Sequence, residues 1–144
     1  MTETAPHAAA RPARLYYDAH CGPCSLFANA VERSSRGRVR ALPYDGDDAA
    51  RELGDLSAPE RFAYAHLVDR RGRTSGAAIL PPILGLTVGA PAERLAERAP
   101  PIGRALAWLY DRFWNHRRTR GCAAAGPAVP AERRGTPQTG SASP

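Results

Sequence analysis

The chain has 144 residues, of which 43% are hydrophobic and 24% charged, with a formal net charge of +6. This length and composition are typical of one globular domain and exclude collagen-like, fully disordered and large multidomain proteins. The longest apolar stretch, Ala77–Ala90, contains two prolines and is shorter than the ~20 residues that cross a bilayer. The N-terminus lacks the apolar segment of a secretory signal. We therefore expect a cytoplasmic protein without a membrane partner.

All 20 basic residues are arginine, and the positive excess lies near the C-terminus. The stretch Arg112–Arg134 carries six arginines and one glutamate, whereas the rest of the chain is nearly neutral. Arginine without lysine, beside abundant Ala, Gly and Pro, indicates a coding bias, so we expect no nucleic-acid partner. One alternative stays open: the arginines at 112–120, close to Trp114, could grip phosphates and stack on bases, or bind an acidic partner.

The hydrophobic pattern predicts one domain at about residues 14–121, between a disordered lead at 1–13 and a disordered Ala/Pro/Gly-rich tail at 122–144. The first predicted elements are a strand at Arg14–Tyr17, a helix at Ser25–Ser34 with a C-cap near Gly37, and a strand at Arg38–Leu42. A short helix follows, capped by Asp47 or Asp48 and ending at Leu53. The next elements are a strand at Phe62–Val68, a turn at Asp69–Gly72 and a paired strand at Arg73–Gly76. Before the third strand, the sequence Ser57-Ala58-Pro59-Glu60 also fits a helix start.

The segment after the predicted hairpin is less regular. Ala77–Leu80 indicates the start of a helix that Pro81 and Pro82 must break or restart. Pro100 and Pro101 then begin the strongest predicted helix, which has apolar residues on one face that we expect to pack in the core. These are Ile102, Leu106, Leu109, Tyr110, Phe113 and Trp114.

The order of the elements predicts the fold class. A strand, a crossover helix and a second strand make a βαβ unit, and an antiparallel hairpin follows later in the chain. The sequence therefore predicts an α/β, thioredoxin-like domain, with a central mixed β-sheet flanked by helices and an extra C-terminal helix.

The sequence Cys21-Gly22-Pro23-Cys24 connects the first predicted strand to the first helix. A Cys-x-x-Cys pair in a cytosolic βαβ unit is typical of a redox pair. Its spacing puts Cys21 near the helix N-cap and Cys24 in the first turn, where the two sulfurs can close a small disulfide ring. The positive helix end favours a thiolate at Cys21, whereas Cys24 is expected to be more buried. We therefore predict that Cys21 is the nucleophile and Cys24 the resolving cysteine.

Two neighbouring side chains could assist this chemistry. His20, if protonated, would stabilise the thiolate, but it could equally be a loop residue that faces solvent. Asp18 opposes thiolate formation through its charge, yet it could relay a proton to or from Cys24. Alternatively, Asp18 accepts hydrogen bonds from backbone N–H groups of the turn.

At these residues the sequence resembles the DCC family of predicted thiol-disulfide oxidoreductases. The family motif, Asp-x-x-Cys-x-x-Cys after a strand, corresponds to Asp18, Cys21 and Cys24. Further similarity lies in the segments Leu67–Arg73, Gly76–Ala78, Leu109–Phe113 and Asn115–Arg117. The resemblance implies a thioredoxin-like fold and an enzyme that exchanges its dithiol with a disulfide-bearing substrate. Because a dithiol enzyme must be recharged, we also expect an unidentified reductant, and no cofactor beyond the Cys21–Cys24 disulfide.

A metal centre is an open alternative. Cys21 and Cys24 could join His116 and Cys122 as ligands of zinc or of an iron–sulfur cluster. His116 and Cys122 do not repeat the tight spacing of the first pair, which is unusual for a zinc site. We therefore expect no bound metal and a free thiol at Cys122.

Overall fold

The computed structural model of the chain describes residues 11–119. The elements are β1 (Ala13–Tyr17), α1 (Gly22–Ser34), β2 (Val39–Pro43), α2 (Asp47–Glu52), α3 (Ala58–Ala63), β3 (His66–Asp69), β4 (Gly72–Ser75), a 3₁₀ helix (Gly76–Ile79), α4 (Leu80–Thr87), α5 (Ala90–Arg98) and α6 (Pro100–Thr119). The predicted tail at 122–144 lies outside the described residues, and so does the predicted lead apart from residues 11–13. Of these three, Ala13 is buried and opens β1.

Four strands form a mixed sheet in the order β2-β1-β3-β4. β1 and β2 run parallel and are joined by the crossover helix α1, whereas β3 runs antiparallel to both β1 and β4. This arrangement confirms the predicted α/β, thioredoxin-like fold class. One end of the sheet holds the C-terminal end of β1, where the cysteine motif begins. The opposite end holds the N-terminal ends of β1 and β2 and the turn between β3 and β4.

Each face of the sheet carries its own apolar cluster, because successive side chains of a strand point to opposite faces. Leu15 belongs to the larger cluster, which includes both motif cysteines and residues of α1, α4 and α6. Tyr16 belongs to the smaller cluster beneath α2 and α3. Its hydroxyl donates a hydrogen bond to Glu52 (2.8 Å), and burial together with this bond raises the pKa of Tyr16 well above its ordinary value.

The predicted strand Phe62–Val68 is wrong in its first part, which is occupied by α3. The helix begins with a capping box: the side chain of Ser57 accepts the N–H of Glu60, and the Glu60 carboxylate accepts the N–H of Ser57 (2.9 Å). These two bonds satisfy N–H groups that a helix start leaves unpaired. The helix-start interpretation of this segment is therefore confirmed, and β3 begins only at His66.

Two predicted helix caps are also wrong. The N-cap of α2 is Gly46, while Asp47 and Asp48 lie in the first turn, where carboxylates meet the positive helix end. At the end of α1 the C-cap is Ser35, and the next two residues, Arg36 and Gly37, enter the left-handed region with φ of 52° and 84°.

The segment after the hairpin resolves into two helices. Pro81 and Pro82 lie in the first turn of α4, where a missing N–H removes no helical hydrogen bond, so they restart the helix rather than break it. No helix was predicted at α5. Its one large apolar residue, Leu95, is exposed, whereas Glu93 and Ala96 are the buried ones. The segment therefore has no apolar stripe to indicate a helix.

The predicted core face of α6 is confirmed at Tyr110 and Trp114, which are buried. Leu109 is 59% exposed, so its predicted core position is wrong. It lies at the margin of the stripe, beside the exposed Trp108. Although α6 is 20 residues long, neither it nor any other helix within residues 11–119 is long and apolar enough to cross a bilayer.

His66 is a buried histidine held in one neutral form. Its Nε2 lies 3.0 Å from the carbonyl oxygen of Arg61, which can only accept, so we assign the ring proton to Nε2. Its Nδ1 then accepts from the hydroxyl of Ser75 at 2.6 Å. Burial lowers the pKa of His66 below its ordinary value, because the charged imidazolium would lose its water.

This shift predicts a loss of stability in mild acid. The unfolded chain takes up a proton near the ordinary pKa of 6.5, whereas folded His66 does so only at lower pH. As the pH falls through this interval, the free energy of unfolding should decrease by up to about 1.4 kcal/mol per pH unit. Urea unfolding at a series of pH values measures this slope, and His66→Gln should flatten it. A slope that the substitution leaves unchanged would contradict the prediction.

Candidate functional site

The cysteine motif lies where β1 passes through a tight turn into α1. Cys21 is the N-cap of α1, with extended backbone angles (φ −99°, ψ 112°), and its Sγ accepts the N–H of Cys24 at 3.4 Å. Its carbonyl oxygen accepts the N–H of Ser25 at 2.9 Å, which closes the first helical turn. Pro23 fits this turn because it has no N–H to satisfy.

The two sulfurs of the motif are in close contact. The Sγ atoms of Cys21 and Cys24 lie 2.6 Å apart, roughly half an ångström beyond the ~2.05 Å length of a disulfide bond. Neither Cys21 nor Cys24 is in a disulfide. Closing the bond would therefore require only a small movement of the two side chains.

The helix start directs an N–H donor and a partial positive charge at the sulfur of Cys21. The N–H of Cys24 points at Cys21 Sγ, and a hydrogen bond to a charged acceptor is stronger than one to a neutral acceptor. The 13 residues of α1 also add the partial positive charge of a helix N-terminus. Both contributions would be larger for a thiolate than for a neutral thiol.

The burial of the pair differs from the expectation that Cys24 is the more buried cysteine. Cys21 is 0% exposed and Cys24 is 2% exposed. As the N-cap, Cys21 joins the apolar cluster that also contains Leu67 of β3 and Ile79 of the 3₁₀ helix. The solvent-facing residues at the motif are instead its neighbours, among them His20 and Gly22.

Asp18 is buried and shapes the turn before the motif. Its Oδ1 accepts the N–H of His20 at 3.0 Å, and its carbonyl oxygen accepts the N–H of Cys21 at 3.2 Å. The carboxylate thus makes the backbone contact expected of a turn residue. Asp18 also lies three residues before Cys21, within the same turn.

His20 lies on the surface of this turn. Its side chain is 67% exposed, and its Nε2 is 3.8 Å from a carboxylate oxygen of Asp45. The imidazole therefore faces Asp45. Within residues 11–119, no hydrogen bond joins the imidazole of His20 to the sulfur of Cys21.

Three aromatic side chains hold the segment between α3 and β3, and the sequence did not predict this role. The hydroxyl of Tyr110 accepts the N–H of Ala65 at 3.2 Å, and the indole N–H of Trp114 donates to the carbonyl of Ala63. Tyr44 donates to the carbonyl of residue 64 in the same segment. Tyr110, Trp114 and Ala65 share one apolar cluster with the cysteine pair. In the sequence, the apolar stripe of α6 was the only signal for Tyr110 and Trp114.

The residues of the two alternative sites are not brought together in the described part of the chain. No group of three or more His, Cys, Asp or Glu side chains with the geometry of a metal site occurs within residues 11–119. His116 is exposed on α6, and Cys122 lies outside the described residues. Trp114, suggested for base stacking, is buried. The side chains of Arg117, Arg118 and Arg120 also lie outside the described part.

Comparisons with protein-family models, with curated proteins and with solved structures found no match for this chain. The resemblance to the DCC family therefore stays a prediction that rests on Asp18, Cys21, Cys24 and the later similar segments.

Proposed function

We propose that the protein is a thiol-disulfide oxidoreductase that uses Cys21 and Cys24. The proposal is carried by one observation: two cysteine sulfurs lie 2.6 Å apart at the N-terminus of a helix, with a backbone N–H directed at one of them. This arrangement supplies a hydrogen-bond donor to a charged attacking sulfur and allows the pair to close a disulfide. These are the two properties that dithiol exchange requires.

The first step is attack by the Cys21 thiolate on a substrate disulfide. A bond forms between Cys21 Sγ and one substrate sulfur, while the other substrate sulfur leaves as a thiolate and takes up a proton. The hydrogen bond from the N–H of Cys24 holds the attacking sulfur in place until the new bond forms. The product is a mixed disulfide on Cys21.

The second step releases the substrate. Cys24 loses its proton, with Asp18 as the candidate acceptor, and its sulfur attacks Cys21 Sγ. The substrate sulfur leaves, and the Cys21–Cys24 disulfide remains. In total, two electrons and two protons pass to the substrate. An external reductant must return them, and the site needs no cofactor besides its own disulfide.

Because both cysteines are buried, the proposal includes opening of the turn at residues 18–21. The bonds at this turn include those from Asp18 to the backbone of His20 and Cys21, and one from the hydroxyl of Ser25 to the carbonyl of Ala19 at 3.4 Å. The exposed Ala19 and His20 can move without disrupting the core. A reducing compartment such as the cytoplasm would keep the pair ready to react.

Trapping with Cys24→Ser tests the proposal. In a Cys122→Ser background, this variant should accumulate a mixed disulfide with a disulfide-bearing peptide, because no second sulfur remains to release it. Intact-mass measurement detects the adduct, and peptide mapping should assign it to Cys21. The Cys122→Ser protein alone should instead release the peptide as thiol and retain an internal disulfide.

Two results would contradict the proposal. One is a Cys24→Ser variant that forms no adduct on Cys21 while its circular dichroism shows a folded protein. The other is near-stoichiometric zinc or iron in the purified full-length protein, because a metal held by these sulfurs would prevent exchange.

A further inference from the structure

A second candidate site lies at the end of the sheet opposite the cysteine pair. There the N-terminal ends of β1 and β2 meet the β3–β4 turn, and together with α4 and α5 they enclose a cleft of about 580 Å³. We name it the arginine cleft, because its charged lining is Arg11, Arg38, Arg70, Arg71, Asp69 and Glu93. We propose that the arginine cleft binds a nucleotide-sized organic phosphate. This inference does not depend on the proposed redox function.

The two acidic residues of the cleft are already engaged. Asp69 accepts the backbone N–H of Arg71 at 2.7 Å, which fixes the β3–β4 turn. The carboxylate of Glu93 pairs with the guanidinium of the same arginine. Glu93 therefore neutralises one arginine, and Asp69 offsets one of the other three. The cleft keeps a net charge of about +2 for a ligand.

Glu93 orients Arg71 from a buried position. The Glu93 side chain is only 12% exposed, whereas that of Arg71 is 69% exposed. Gly85 of α4 makes room for the carboxylate, since a Cβ at Gly85 would lie only 2.2 Å from its Oε2. The carboxylate is thus lodged against α4, where it fixes one side of the guanidinium. The contact with Glu93 is made by one terminal nitrogen of Arg71, and a guanidinium has five N–H donors, so others stay available for a ligand.

Arg38 is anchored in a similar way. Its Nε donates to the carbonyl oxygen of the buried Ser35 at 3.1 Å, so its two terminal nitrogens stay available as a fork. Its own carbonyl oxygen accepts the N–H of Ala13 at 2.8 Å, which ties the segment carrying Arg11 to the same site. Two short connections thus bring arginines from separate parts of the chain to one side of the cleft.

The chemistry of these donors identifies the ligand class. Within residues 11–119, no carboxylate forms an ion pair with Arg11, Arg38 or Arg70. Guanidinium groups bind phosphate oxygens in pairs, and a diphosphate matches the net charge. The cleft also has an apolar lining of Pro12, Pro82 and Leu86, which suits a flat organic group. Its volume is in the range of small-molecule sites.

Titration of the full-length protein with ADP tests this proposal. Calorimetry should show saturable binding that weakens as salt is added, because salt screens charge attraction. Adenosine, which lacks the phosphates, should bind at least tenfold more weakly. The double substitution Arg38→Ala and Arg70→Ala should also weaken ADP binding about tenfold or more. Arg104→Ala, at an exposed arginine of α6 outside the cleft, is the matched control and should leave the affinity unchanged.

Several outcomes would overturn the proposal. One is the absence of saturable ADP binding to the wild type. Another is a double variant that binds ADP as tightly as the wild type does. Tighter binding of a single-stranded oligonucleotide or of anionic lipid vesicles at the same ionic strength would assign the surface to a macromolecule instead. Because Arg38 is anchored to the fold, Arg70→Ala alone provides a second variant in an exposed turn, and it should weaken ADP binding with an unchanged unfolding midpoint.

Discussion

Replacing Cys21 with serine is expected to lower the rate of disulfide exchange on the order of 10³-fold or more. A serine hydroxyl is not ionised at neutral pH and cannot form a disulfide, so neither step of the proposed reaction can occur. The measurement is the reduction of insulin disulfides by protein that has been charged with dithiothreitol and then freed of it. The wild type should reduce one insulin disulfide per Cys21–Cys24 pair, and the variant should reduce none.

This variant separates chemistry from folding. Serine is a preferred N-cap residue, so its hydroxyl can accept the N–H of Cys24 as the sulfur does in the wild type. The unfolding midpoint should therefore stay close to that of the wild type. Cys122→Ser is the matched control and should keep full activity. Insulin reduction by Cys21→Ser at the wild-type rate would show that another group carries the activity.

The position of the cysteine pair could be predicted because it depends on contacts within one helical turn. Proline after the first cysteine fits a helix start, and the spacing of three residues brings Cys21 and Cys24 to the same side. The burial of Cys21 could not be predicted. Cys21 belongs to a buried cluster that includes Leu67 and Ile79, more than 40 residues later in the chain, and no local pattern reveals such a cluster.

The difference between local and distant contacts also explains why the start of α3 could be predicted and α5 could not. The capping box at Ser57 and Glu60 is a local signal, so the start of α3 could be recognised from four residues. Helix α5 has no such cap and no apolar stripe. Its inward-facing Glu93 reads as a surface residue in the sequence, because its partner Arg71 and the space at Gly85 lie in other elements.

The apolar stripe of α6 could be predicted, but not the hydrogen bonds that its aromatic residues make. Trp114 stacks on Tyr110, with ring centroids 5.0 Å apart, and donates to the carbonyl of Ala63 on a segment 51 positions earlier. Hydrophobic periodicity identifies which face of a helix is buried. It does not show which backbone group an indole N–H will meet, because that depends on the path of another element.

These contacts predict that Trp114→Ala destabilises the fold by about 3–5 kcal/mol. The substitution removes a large side chain that is 4% exposed and leaves a cavity beside Tyr110. It also removes the hydrogen bond to Ala63, whose carbonyl then lacks this donor. A loss of this size is a large part of the stability of a small domain, so urea unfolding followed by far-UV circular dichroism should show a much lower midpoint.

The other tryptophan provides the matched control, because Trp108 lies on the same helix and is 63% exposed. Trp108→Ala should change the free energy of unfolding by about 0.5 kcal/mol or less. Trp114→Phe isolates the hydrogen bond: it keeps most of the apolar volume and should cost about 1–3 kcal/mol. Equal effects of the two alanine substitutions would contradict the role of Trp114. They would also mean that α6 does not hold the segment before β3, on which the shape of the cluster around the cysteines depends.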